Sequence, residues 1–224
     1  MPRLILSPPD FADAISDGGS LGFVKLPRHP RPRSYLQFAI DDLAATDCER
    51  NRVNALSNAK RALHFQVETI STALGFDKLN IARAPFPRRL DFCEACGVAS
   101  PRILRRLNQL RNAIEHEYYL PSRTEAETFV DVVDLFLSAT HPLIVRFPED
   151  VSCDLVVKQP SGDCNIYASL AMKVKSGSLR ITARRRIAED GKLERTNKFK
   201  KIVRAKDGPV YTEWVNALLK IWEN

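Results

Sequence analysis

The stretch LRNAIEHEYYLP, residues 110 to 121, sets an arginine, an asparagine, two glutamates, a histidine and two tyrosines within nine residues and then stops at Pro121. A helix with only folding to do would carry Lys, Glu and Ala on its wet face. His116 has a side chain that takes or gives a proton near neutral pH. Arg111 offers a planar, permanently charged fork that fits phosphate. Together they hold the parts for cleaving an RNA phosphodiester. One group helps the 2′-hydroxyl attack, and another neutralises charge at phosphorus. Asn112 is placed to orient a base or a phosphate oxygen. No metal is needed for such chemistry, and the chain offers no obvious carboxylate cluster to hold one.

The helix that must position these groups is well announced. Ser100 is a good N-cap, and Pro101 sits where a missing N–H costs nothing. The pattern predicts a helix from about Pro101 to Tyr118. At about 100° per residue, Ile103, Leu107, Leu110 and Ile114 form one buried stripe. Asn108, Asn112, Glu115 and His116 fill a neighbouring sector, with Arg111 and Tyr118 at its border. That sector can line a groove or an interface. A structural reading stays open beside it: an Arg111–Glu115 ion pair at i,i+4, His116 favoured by the helix dipole, and two packing tyrosines.

The run RNAIEHEY resembles the R-x4–6-H motif of HEPN domains, in its RN-x3-H form. Its extension is similar to the R-x4-H-x-Y variant of HEPN toxins that pair with a nucleotidyltransferase antitoxin. The resemblance covers about residues 34 to 145, and its sharp part is eight residues long. It implies a metal-independent endoribonuclease without cofactor. Arg111 and His116 would carry catalysis with Asn112 in support, while Glu115 and Tyr118 would line or regulate the site. It also implies a homodimer in which two motifs face one cleft. In the toxin variant, the tyrosine matching Tyr118 is nucleotidylated by the antitoxin. A toxin or antiviral defence effector is therefore expected. The alternative is a non-catalytic HEPN-like module that binds RNA, a nucleotide or a protein partner.

The rest of the chain is expected to be α+β. Residues 1–33 are punctuated by proline and glycine and read as an N-terminal extension with possible short strands at RLIL and GFVKL. Residues 34–146 read as a HEPN-like antiparallel helical bundle. Val53, Leu56, Leu63, Val67, Ile70 and Leu74 mark one face of a long helix stopped by Gly75. A short helix is expected in DFCEACG. SRTE and TEAE each match a capping box before a helix over about 123–140. Residues 147–224 read as a small antiparallel sheet with a C-terminal helix. DLVVKQ, NIYASLAMKVK and SLRITARRR are strands, PSGD, KSGS and EDGK are turns, and VYTEWVNALLKIW is amphipathic.

Basic charge concentrates in that last region. Lys173 to Lys206 holds thirteen Lys or Arg against three acidic residues. Because alternate strand residues share a face, Arg180, Arg184 and Arg186 should align, as should Lys173 and Lys175. Arg180, Arg184, Arg185, Arg186, Lys198, Lys200 and Lys201 are the candidate RNA-binding set. Phe199 is the one aromatic in the run, so phosphate positioning is favoured over base reading. A solvated sheet with lysine-protected edges is the competing explanation.

Bulk properties agree with an anionic partner. The chain has 224 residues, 27% of them charged, and a net charge of +7. RNA, DNA and acidic surfaces all fit. Five cysteines do not make a disulfide framework. With the short apolar run Leu4–Leu6, they suggest a soluble, cytoplasmic protein with no membrane partner. CEAC, from Cys93 to Cys96, has half of a zinc site's spacing, but Cys153 and Cys164 stand too far apart to complete it. His64 reads as a core or interface histidine. His29 and His141 lie beside prolines with no evident partner. SDGGSLGF lacks the ending of a phosphate-binding loop.

Overall fold

Apolar spacing and end signals explain the helices. In the computed structural model, which describes residues 4–26, 30–79, 81, 85–99, 106, 109, 120–159, 162–187 and 192–224, α1 spans Pro32–Ala44 and α2 spans Glu49–Ala73. The α2 positions Leu56, Leu63, Val67 and Ile70 are buried on one face, as their spacing requires. α3 runs Phe86–Ala95 and α4 Arg123–Thr140. Of the two capping boxes in the sequence, SRTE is the one used. The Ser122 N–H donates to Glu125 Oε2 at 2.9 Å, and the Glu125 N–H donates back to Ser122 Oγ at 3.3 Å. α1, α2 and α4 pack side by side, and Arg33 of α1 pairs with Asp134 of α4.

A single helical turn, Pro142–Val145, leads into the strands β2 Phe147–Gln159, β3 Gly162–Met172, β4 Ser178–Arg186 and β5 Leu193–Arg204, and then the closing helix α5, Pro209–Glu223. The predicted strand segments, the KSGS turn and the C-terminal helix all fall in place, so the chain is α+β. The first strand differs from expectation. Leu4–Leu6 and Phe23–Leu26 are not in strands; β1 is Ile15–Gly22, which takes in most of the glycine-rich SDGGSLGF. It pairs antiparallel with β2 and completes a sheet of order β1-β2-β3-β4-β5. Glycine is required here by close approach: a Cβ on Gly19 would lie 2.0 Å from the Asp150 carbonyl oxygen. Lys173 and Lys175 lie beyond β3 in the turn to β4 and are not strand neighbours.

One face of the sheet is apolar. Val151, Cys153 and Leu155 of β2, Ile166, Ala168 and Leu170 of β3, and Leu179, Ile181 and Ala183 of β4 are all buried. α5 covers this inner face with Tyr211, Trp214, Val215, Leu218 and Leu219, a helical repeat buried throughout. Each such fully buried Leu, Ile or Val contributes about 1.5–3 kcal/mol. The helical half meets the sheet half where α2 ends. The Tyr211 hydroxyl donates to the Leu74 carbonyl at 2.6 Å, and the Lys175 N–H donates to Ala73 O at 2.8 Å. Gly75, with φ 94°, passes so close to Gly177 that a Cβ would sit 2.3 Å from its Cα.

The segment Arg123–Val145 is long and apolar enough to cross a membrane by composition alone. Its apolar residues Ala126, Phe129, Val130, Val133 and Leu137 are instead buried within the protein, as in the core helix of a globular fold.

Tyr211→Phe would strand the buried Leu74 carbonyl without its donor. It should lower the unfolding free energy by about 1–3 kcal/mol, measured by urea denaturation, with the circular dichroism of the folded state unchanged.

Candidate nucleic-acid interface

Strand alternation sends every second side chain of β2 to β5 away from α5. The outward rows follow from the register. Asp154 faces Tyr167, which faces Arg184, which faces Lys198. In the next row, Ser152, Ser169, Thr182 and Lys200 line up. In the third, Asp150, Ala171, Arg180 and Ile202 line up, and Ser178 faces Arg204 beyond it. The outer face is therefore graded in charge. β4 and β5 carry Arg180, Arg184, Lys198, Lys200 and Arg204, β3 is neutral over Tyr167, Ser169 and Ala171, and β2 carries Asp150 and Asp154 beside them; farther along the same face Lys158 of β2 stands opposite Asp163 of β3.

The five cations are exposed, and none has an ion-pair partner among the described residues. Arg184 and Lys198 stand directly opposite each other, a pairing of like charges that destabilises a sheet. Repulsion of this kind is relieved by a bound polyanion. Thr182 sits among these cations as a neutral hydroxyl.

Of the predicted set, Arg180, Arg184, Lys198 and Lys200 share this face. Arg186 shares it too but is committed elsewhere. Its Nε and Nη2 bond the two carboxylate oxygens of Asp154 at 2.6 and 2.7 Å, and its guanidinium lies 5.4 Å from the Tyr167 ring centre. Arg185 and Lys201 fall on the opposite side of the sheet from these four. Arg185 pairs with inner-face Ile166 across the ladder, and Lys201 pairs with inner-face Ile181. The Lys201 ammonium lies 5.6 Å from the Trp214 ring centre. Both belong to the side of the sheet that faces α5. Arg204, Tyr167 and the aspartates of β2 were missed. Arg204 continues the alternation Lys198, Lys200, Ile202, Arg204 and could have been found from it. Tyr167 and the aspartates needed the register.

Arg111, Asn112, Glu115, His116 and Tyr118 lie outside the described residues. Arg106 and Gln109, in the same predicted helix, are helical and exposed. His64 of α2 stacks on Phe86 at 4.0 Å between ring centres, a packing contact between α2 and α3.

Two hollows flank the cationic rows. One of about 430 Å³ is lined by Lys173, Arg180, Ser176 and Ser178 together with Glu149 and Asp150. The larger, about 600 Å³, is bordered by Asp10, Asp13, Asp154 and Arg186. Its three carboxylates make it a poor seat for phosphate. Among the described residues, no three His, Cys, Asp or Glu side chains come together in a way that could hold a metal ion. Cys93 and Cys96 are fully buried. Burial pushes the Cys93 thiol from 9.0 up to about 12, against a smaller opposing pull from Arg89. Burial, and then the neighbouring charges of Asp17 and Asp154, push Cys153 up to about 12 as well. These thiols pack as small apolar side chains.

Comparison with family models, with curated proteins and with solved structures gives no match.

Two outcomes follow. Lys198→Glu converts the repulsive pair with Arg184 into an attractive one. It should raise the unfolding free energy by about 0.2–1 kcal/mol while weakening binding to RNA, read by thermal denaturation and by fluorescence anisotropy. The raised thiols fix a pH dependence. A folded thiol that keeps its proton above 9.0 contributes stability that is full below pH 9 and lost as pH climbs from 9 towards 12. The urea midpoint should fall across that window, and Cys93→Ala should flatten the fall.

Proposed function

We propose that the protein binds RNA on the outer face of its sheet and cleaves it without metal through Arg111, Asn112 and His116. The observation that carries the binding half is the set of five exposed cations on β4 and β5, two of them directly opposed and none ion-paired among the described residues. The cleaving half rests on the RNAIEHEY motif and its resemblance to HEPN ribonucleases. In that reading a base takes the proton of a 2′-hydroxyl, O2′ attacks phosphorus, and the 5′-oxygen leaves with a proton. The products are a 2′,3′-cyclic phosphate and a free 5′-hydroxyl. Arg111 holds the charge that builds on the phosphoryl oxygens, and His116 transfers protons. A homodimer would bring two motifs to one cleft, and Tyr118 would be the handle for a nucleotidyltransferase-type antitoxin. A cytoplasmic toxin or defence effector is the setting that fits, and buried free thiols accord with a reducing compartment.

A second reading is favoured by one feature of the face. Its described side chains include no histidine, since His64 lies on α2 and His141 opens the turn after α4. The sheet alone holds RNA and does not cut it, as a non-catalytic module would.

Purified protein and His116→Ala, incubated with RNA in EDTA, separate the two. Cleavage by the wild type that falls at least about 10²-fold in the variant and leaves cyclic phosphate ends supports the nuclease. RNA retained intact by both proteins establishes the binding module.

A further inference from the structure

We infer that the outer face of the sheet is a seat for single-stranded RNA, with the phosphates laid along β4–β5 and the bases over β3, and that it excludes a duplex. This rests on the reading of the protein as one that binds RNA, and it names which form of RNA the same face accepts.

The spacing of the cations is the first argument. Lys198 with Arg184 opposite, Lys200, Arg180 beside Ile202, and Arg204 occupy four successive outward positions along the β4–β5 pair. Outward positions recur every two residues, about 6.7 Å apart, so the run is about 20 Å long. That step is comparable to the separation of neighbouring phosphates along an extended single strand, and a groove that tracks one backbone is how such strands are held. The cations sit on two adjacent strands, about 4.8 Å apart, which is the width of one backbone and not of two.

The neighbouring strands supply the second argument. β3 presents Tyr167, Ser169 and Ala171, a neutral stripe with an aromatic ring beside the cation row. Tyr167 is half-buried, with the Arg186 guanidinium on its ring. Aromatic rings and guanidinium groups are the side chains on which bases stack, and this pair sets one of each beside the cation row. Beyond the stripe, β2 presents Asp150 and Asp154. Asp150 is held by the Ser169 hydroxyl at 2.7 Å, and Asp154 by Arg186. A duplex laid on the cation row would bring its second phosphate backbone over Asp150, whose charge no cation offsets among the described residues, whereas that of Asp154 is offset by Arg186. Like charges would meet there, and the repulsion discriminates against it. A single strand has no second backbone to place.

The test uses the full-length protein and a fluorescent 2′-O-methyl RNA dodecamer, which lacks the 2′-hydroxyl nucleophile. It is offered alone or annealed to its complement, with binding read by anisotropy. The single strand should bind at least about tenfold tighter than the duplex. Its affinity should fall with salt at a slope near −3.5, about 0.7 for each of five phosphates neutralised. Arg184→Gln or Lys200→Gln should each reduce that slope by about 0.7, and Lys220→Gln on α5 should leave it unchanged. Asp150→Lys should narrow the preference by strengthening duplex binding. Equal or tighter binding of the duplex by the wild type would overturn the inference and leave the RNA reading standing. So would cleavage of ordinary RNA without measurable binding of the dodecamer on this face. Loss of both binding and cleavage would overturn both. Polyglutamate that competes as well as the RNA strand would show a general polyanion surface, and overturn the inference.

Discussion

Everything in this fold hangs on the contact between Gly75 and Gly177. The end of α2 and the turn from β3 to β4 come together so closely that a Cβ on Gly75 would meet the Gly177 backbone, while one on Gly177 would meet the Lys78 side chain at 2.6 Å. That approach lets the Lys175 N–H reach the Ala73 carbonyl and lets Tyr211 of α5 cap Leu74 from the other side. The turn from β3 to β4 and α5 thereby satisfy the Ala73 and Leu74 carbonyls at the end of α2, which would otherwise be left without partners. The sheet is thus fixed to the helices at one end. α5 is held against its inner face, and the outer face turns away from the packed core.

That arrangement produces the charge gradient. Once α5 takes one side of each strand, alternation leaves no choice about which residues meet solvent. The outward arginines and lysines of β4 and β5 gather on one side of β3, and Asp150 and Asp154 of β2 lie on the other. The sheet tolerates the Arg184–Lys198 opposition because α5 and the inner-face packing supply the stability that this pair subtracts. Arg186 marks the boundary, a cation neutralised by Asp154 and laid against Tyr167.

Much of this was written in the sequence at short range. Ser122 with Glu125, Gly75 after an apolar repeat and the KSGS turn each act within a few residues, and each element they delimit is found. α1 begins at Pro32, two residues before the change of texture at Ser34. β1 was not legible because Asp17, Gly18 and Gly19 carry turn chemistry; the reason for glycine at 19 is the Asp150 carbonyl, more than a hundred residues away. The site divides in the same way. Arg180, Arg184 and Arg186 share a face by local alternation alone. Choosing Lys200 over Lys201 requires the register between β4 and β5. The Asp154–Arg186 pair spans three strands, and no local pattern announces it.

The order of the sheet carries a consequence for how the chain reaches this state. β2 to β5 are joined by successive hairpins, so their pairing closes short loops. β1 joins the same sheet across the whole helical region, with Ile15 paired to Asp154. Loop-closure entropy rises with that separation, and distant pairings form slowly. β1 is therefore expected to dock last, and until it does β2 is a bare edge able to pair with another chain. Pulse-labelled hydrogen exchange would register this as late protection of the amides shared by β1 and β2. Gly19, which lets β1 approach Asp150, thus also bears on how long a newly made chain remains prone to self-association.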